Sequence, residues 1–158
     1  MKTIFLAMLF CFLFCVSAFS QEAEKIDEFG NIYCDDYLAR MDSVFNVLKD
    51  NPNSKIYVLV YEGRLKKAIS DNKYNIIGYR YVLPRFGEAK TRIKTIKKRI
   101  ALYKQPSENF IFIEGGLREK FTVEFWLVRN DAIPPKPMPT LKKMKYQKGR
   151  PSGFCISM

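Results

Sequence analysis

The chain has no histidine and, past residue 20, only two cysteines, Cys34 and Cys155. Without imidazole there is no Ser-His catalysis, no His-type zinc site and no ordinary proton shuttle near neutral pH. Two cysteines so far apart in sequence do not suggest a metal site. No Walker-type or dinucleotide-type glycine pattern occurs, so no cofactor is expected, and Gly63 and the pair Gly115 and Gly116 read as isolated turn glycines. Paired carboxylates placed for acid–base work are not recognisable either, and the reading is of a protein that is not an enzyme. The mature chain also lacks an apolar run of the about 20 residues that a spanning helix needs. No transmembrane segment is therefore expected in it.

What is present first points to a compartment. Lys2, an apolar run over residues 4–16 and the small residues Ala18 and Ser20 precede a polar stretch over 21–25. This is the three-part pattern of a secretory signal over residues 1–20, with cleavage after Ser20. The alternatives are an uncleaved anchor helix and a lipoprotein signal, the latter disfavoured by bulky Phe14 before Cys15. The mature protein is expected to be exported, periplasmic or extracellular. Its 138 remaining residues suffice for one domain with its own core. In an oxidising compartment Cys34 and Cys155 suggest a disulfide that closes a very long loop, worth about 4–5 kcal/mol. Two free thiols, or pairing between chains, are the alternatives.

Taken in order, residues 24–32 hold Ile26, Phe29 and Ile32 around a Gly-Asn turn and suggest a short first strand. Asp35 is a candidate N-cap. Tyr37, Leu38, Met41, Val44, Phe45 and Leu48 line one face of the helix that follows, and residues 49–53 stop it. Residues 55–61 form a nearly continuous apolar, β-branched run, the pattern of a central strand covered on both faces. Residues 62–83 read as an insertion, an extra strand or a loop packed over the core. Within residues 84–103, Ala89, Ile93, Ile96, Ile100 and Tyr103 make one apolar helical stripe. Lys90, Arg92, Lys94, Lys97, Lys98 and Arg99 are assigned to the opposite, basic face. Residues 110–113 suggest a short buried strand and 114–118 a turn. A last strand over 119–128 turns Phe121, Val123, Phe125 and Leu127 one way, and is expected to run antiparallel to its predecessor as a hairpin.

Residues 134–139 contain four prolines and favour an extended polyproline segment. Residues 132–158 carry six basic residues and no acid, a tail expected to be mobile unless Cys155 ties it down. Much of the mature chain's formal +10 charge therefore belongs to this tail, and no nucleic-acid partner is inferred from it. Three side chains or surfaces keep two readings open. The basic helix face is a solvated surface or a binder of anionic polymer. Glu62 is a ligand group at the end of a strand or a solvated carboxylate beside Arg64. Trp126 packs in the core or stacks on a sugar.

The order of elements, with Met41 and Asp42, residues 48–52 before 56–60, Arg92 to Ile96 with Ile100, and Gly115, Gly116 and residues 122–127, resembles the OmpA-like C-terminal domain of bacterial envelope proteins. The likeness covers residues 26–129. It is also similar to short exported proteins of uncharacterised function that join a helix like residues 87–92 to an end like residues 115–128. The resemblance implies an α+β domain over residues 21–131, of strand-helix-strand-helix-strand-strand order: a two-layer sandwich with a mixed sheet and two helices on one face. It implies a cell-envelope module that contacts peptidoglycan through a loop acid and a helix arginine, a pair suited to the amine and carboxylates of diaminopimelate. Arg92 takes the arginine position. The family's His-Thr-Asp step is absent, and Glu62 and Asp71 are the available acids. The alternative is a secreted structural or protein-interaction domain whose Pro-rich basic tail docks an acidic partner.

Overall fold

The computed structural model describes residues 22–151 and Cys155, so the expected signal segment, residues 1–20, lies outside the described residues. The apolar run at 56–61 becomes the centre of the sheet, and Ile56, Val58, Leu59, Val60 and Tyr61 are all fully buried. The elements are β1 (Glu24–Phe29), α1 (Cys34–Asp50), β2 (Lys55–Ser70), β3 (Ile76–Val82), α2 (Glu88–Leu102), β4 (Phe110–Lys120) and β5 (Thr122–Val128). Among the described residues two α-helices and a five-stranded sheet make the fold α+β. Alternate side chains of β2 (Ile56, Val58, Val60) and β5 (Val123, Phe125, Leu127) share one core cluster with Tyr37, Met41, Val44, Phe45 and Leu48 of α1 and Ala89, Ile96 and Ile100 of α2. Each fully buried Val, Leu, Ile, Phe or Met side chain among them contributes about 1.5–3 kcal/mol. Asp35 is not the cap expected of it: α1 begins at Cys34 after Tyr33, and Asp35 lies in the first turn, where a carboxylate still meets the positive end of the helix dipole.

The last two strands do not form a hairpin. β5 pairs antiparallel with both β1 and β2, and β4 pairs parallel with β2. β2 therefore lies between β4 and β5, and the link at Phe121 has to cross it. It crosses at Gly63, where a Cβ would lie 2.1 Å from the Lys120 carbonyl carbon. The Phe121 amide donates to the Arg64 carbonyl at 3.1 Å, which fixes the crossing. Gly63 is thus a strand glycine demanded by close backbone approach. Residues 114–118 are not a turn either. β4 runs through them, with Gly115 as an extra residue between the pairs Val60–Glu114 and Tyr61–Gly116. A Cβ on Gly115 would sit 2.5 Å from the Tyr61 ring. The bulge leaves room for that ring.

Residues 62–83 neither loop over the core nor leave the sheet. β2 continues to Ser70 and turns back as β3, which pairs with its outer half from Leu65–Val82 to Ser70–Ile76. Only Leu65, at the root of this two-stranded arm, is buried; no residue from 66 to 81 is.

The Pro-rich tail is laid along the domain as a strap. The amides of Thr140 and Leu141 donate to the Leu117 carbonyl at 2.9 and 3.1 Å, and the Gln147 amide to the Pro84 carbonyl at 3.0 Å. The Arg85 guanidinium donates to the Arg150 carbonyl at 3.0 Å, and Phe86 meets Tyr146 edge to face. Cys155 is joined to Cys34, with Cα atoms 5.5 Å apart. The bridge brings the strap back to the start of α1, and an extracytoplasmic disulfide is consistent with an exported protein. Among the described residues no helix is long and apolar enough to cross a membrane.

Candidate functional site

A cleft of about 720 Å³ opens between the arm and the start of α1. Three pieces of backbone converge on it: the end of β1 with the turn into α1, the stretch of β2 and β3 from Arg64 to Tyr81, and the β4–β5 link at Lys120 and Phe121. Four cations line it, Arg64, Lys66, Lys67 and Lys120, against two acids, Glu28 and Asp36. Lys66 lies opposite Tyr81, and Ala68 opposite Tyr79, in the β2–β3 ladder, so these positions share a face. The Lys66 ammonium sits 4.0 Å from the centre of the Tyr79 ring, and that of Lys120 5.4 Å from the Tyr81 ring. Cations over aromatic faces form a surface suited to anions bearing flat or apolar parts.

Arg92 sits behind this cleft rather than in it. It is only 3% exposed, so its assignment to the outward basic face of the helix does not hold. Glu88, Arg92 and Thr95 form a second buried row beside the apolar stripe of α2. Arg92 Nη2 donates to Asn31 Oδ1 at 3.1 Å, and its guanidinium lies 4.8 Å from the centre of the Phe121 ring. Asn31 Nδ2 in turn donates to the Lys66 carbonyl at 2.9 Å. Arg92 therefore buttresses two residues of the cleft wall, Asn31 and Phe121. Burial pulls its pKa down to about 10, with Glu88 opposing that shift, so it is charged at neutral pH. Burial likewise raises the Glu88 carboxyl, against the pull of Arg92. The nearby acid acting on Arg92 is thus Glu88.

Glu62 and Asp71 have other partners. Glu62 Oε1 accepts the Ala89 amide at 3.3 Å, in the first turn of α2, and Oε2 accepts the Tyr146 hydroxyl at 2.7 Å. It ties helix, strand and strap together. Burial first, and then this hydrogen bond, push the Tyr146 phenol up to about 12. Asp71 folds the arm's own tip. Its Oδ1 accepts the amides of Lys73 and Asn75, each at 2.8 Å, and its Oδ2 accepts the Asn75 side chain at 3.0 Å. The Asn75 side chain, then its amide, hold the Asp71 carboxyl below its usual range.

A second polar cluster lies under the strap. Glu124, 2% exposed, accepts Arg118 at 2.8 Å, Trp126 Nε1 at 3.0 Å and the Tyr61 hydroxyl at 3.3 Å. The Met138 amide donates to that hydroxyl and the Met138 carbonyl accepts Arg118 Nε, both at 3.2 Å. Trp126 is half-buried, its indole N–H committed to this network. Such a buried carboxylate is well satisfied and serves to hold the strap.

The cleft offers cations and aromatic faces. Among the described residues no group of three or more His, Cys, Asp or Glu is placed to hold a metal ion. Comparison of the chain with protein-family models, curated proteins and solved structures finds no match to any of them. The cleft itself escaped the sequence reading. One available signal is the spacing of Tyr79 and Tyr81 across Arg80, which places both rings on one face of a strand.

Proposed function

We propose that the protein is a non-enzymatic, exported cell-envelope module of the OmpA-like kind, and that it holds an anionic envelope component, peptidoglycan foremost, in the cleft between the arm and α1. The observation that carries the reading is the cleft's charge: four cations, two of them seated on tyrosine rings. The order strand-helix-strand-helix-strand-strand, with β3 added, supports the family reading. Arg92 enters as a positioning residue that acts through Asn31 and Phe121, and Glu62 as the tie that fixes the end of α2.

The test is co-sedimentation of the mature protein with purified peptidoglycan. Reversing Lys66 and Lys120 to Glu, both on the solvent side, is expected to weaken retention by about tenfold or more at unchanged thermal stability. No retention of the native protein, or equal retention of the reversed variant, rejects the reading. A second reading rests on the strap, whose six cations are all exposed while its backbone is engaged. A protein partner of acidic character would then be captured through Lys142, Lys143 and Lys145. Reversing those three to Glu, with the cleft intact, separates the two readings.

A further inference from the structure

The arm carries apolar side chains where a folded domain gains nothing from them. Tyr74 is 91% exposed at the tip, with Ile77 at 66% and Ile76 at 48% just behind it. The display is built rather than frayed. Asp71 staples the tip through three hydrogen bonds, its amide donates to the Asn75 carbonyl at 3.0 Å, and Tyr74 is held at φ 65°. A bulky residue in the left-handed region is strained, and such strain is retained where the surroundings enforce it. An isolated two-stranded hairpin is marginal in water, yet this one extends a strand rooted in the core.

The charges around the tip say what it faces. Residues 64–82 contain five basic residues, including Lys67, Lys73 and Arg80, and one acid, Asp71. That acid is spent on the loop. The surface thus joins a protruding apolar tip to a nearly uniform positive field. Aromatic and aliphatic side chains enter the headgroup boundary of a bilayer, lysine and arginine stems reach back to its phosphates, and each cation close to an anionic surface adds to the attraction. We propose that the tip of the β2–β3 arm docks the protein onto an anionic lipid surface, with Tyr74, Ile76 and Ile77 entering the headgroup layer and Lys67, Lys73 and Arg80 meeting lipid phosphates. A protein groove of matching shape would want a defined concave partner for one side of the arm, whereas here the cations and apolar groups surround a tip. Of the docking residues Lys67 alone also lines the cleft; Tyr74, Ile76, Ile77, Lys73 and Arg80 do not, so the two readings can fail separately.

The experiment is flotation of the mature protein with vesicles of phosphatidylcholine, with and without phosphatidylglycerol. Expected is binding to the anionic vesicles alone, weakened by added salt. Tyr74→Ser with Ile77→Ser is expected to lose binding by about tenfold or more per side chain. Tyr74→Trp is expected to keep it and to add a blue-shifted indole emission on docking. Lys120→Glu, in the cleft, should float like the native chain. Because the tip supports no core, circular dichroism and melting of the Ser variant should match the native protein. Failure of the native chain to float, equal binding to neutral vesicles, or full binding by the Ser variant overturns the proposal. So does sedimentation velocity showing that the tip instead joins two copies of the chain, with vesicles ignored.

Discussion

The two halves of β2 share one backbone ladder and almost no environment. Between Ile56 and Tyr61 five side chains are fully buried, and the strand has neighbours on both edges. Between Lys66 and Ser70 every residue is exposed and β3 is the paired neighbour. Gly63 marks the change, because the β4–β5 link passes over the strand there. A hydrogen-bonded ladder is thus enough to keep a strand extended once its root is anchored. Burial of both faces is what makes a strand the basis of stability. The inner half commits its side chains to the core, and the outer half leaves its own in solvent.

The sharpest way to break this contrast is at its boundary. Gly63→Ala has to push the Lys120–Phe121 backbone away, and a loss of about 3 kcal/mol or more, or failure to fold, is expected in urea titration. A Gly63→Ala protein as stable as the native one would mean that the link does not lie against the strand. Next in size is a matched pair of truncations along one strand. Ile56→Ala should cost about 2–5 kcal/mol, and Ile69→Ala about 0.5 kcal/mol or less. Similar losses at both sites would erase the distinction between the halves.

The smallest effect concerns how the strap meets the inner half of the molecule. Tyr37 in the core and Tyr146 on the strap are both pushed up to about 12, chiefly by burial. In the unfolded chain they ionise near their ordinary value of 10, so above that pH the unfolded state holds fewer protons. Stability should therefore be intact below pH 10 and fall as pH rises from 10 through 12. Phenolate absorbance should show Tyr146→Phe losing one late-titrating group. If the lost group titrates near 10 instead, the Glu62–Tyr146 tie is absent in solution.

Much of the framework is legible in residue patterns. The stripe from Tyr37 to Leu48 gives α1 its inner face, and the run at 56–61 gives the sheet its centre. The alternation from Phe121 to Leu127 correctly sorts the faces of β5. Alternation reports which side a residue faces but not which strand lies beside it, so β5 was read as the hairpin partner of β4. Arg92 departs from its expected face for a different reason. Charge outweighed position, although Arg92 lies three residues after Ala89 and four before Ile96, within the helical stripe. The cleft was out of reach because its walls come from segments far apart in sequence, Asn31, Lys66, Tyr79 and Phe121. The composition of the tail is compatible with mobility or with attachment through Cys155. The strap is what that bridge makes of it.

The place of β5 has a consequence for how the chain comes off the ribosome. Among the described residues it is the last strand to be synthesised, yet it slots between β1 and β2. Until about residue 128 has emerged, those two strands each present an unpaired edge and half a core. Helices α1 and α2 can form early, but the sheet closes only after β5 has been made. Long-range pairing of this kind is slow and leaves sticky intermediates. The central position of β5 ties closure of the sheet to the arrival of the latest of these five strands.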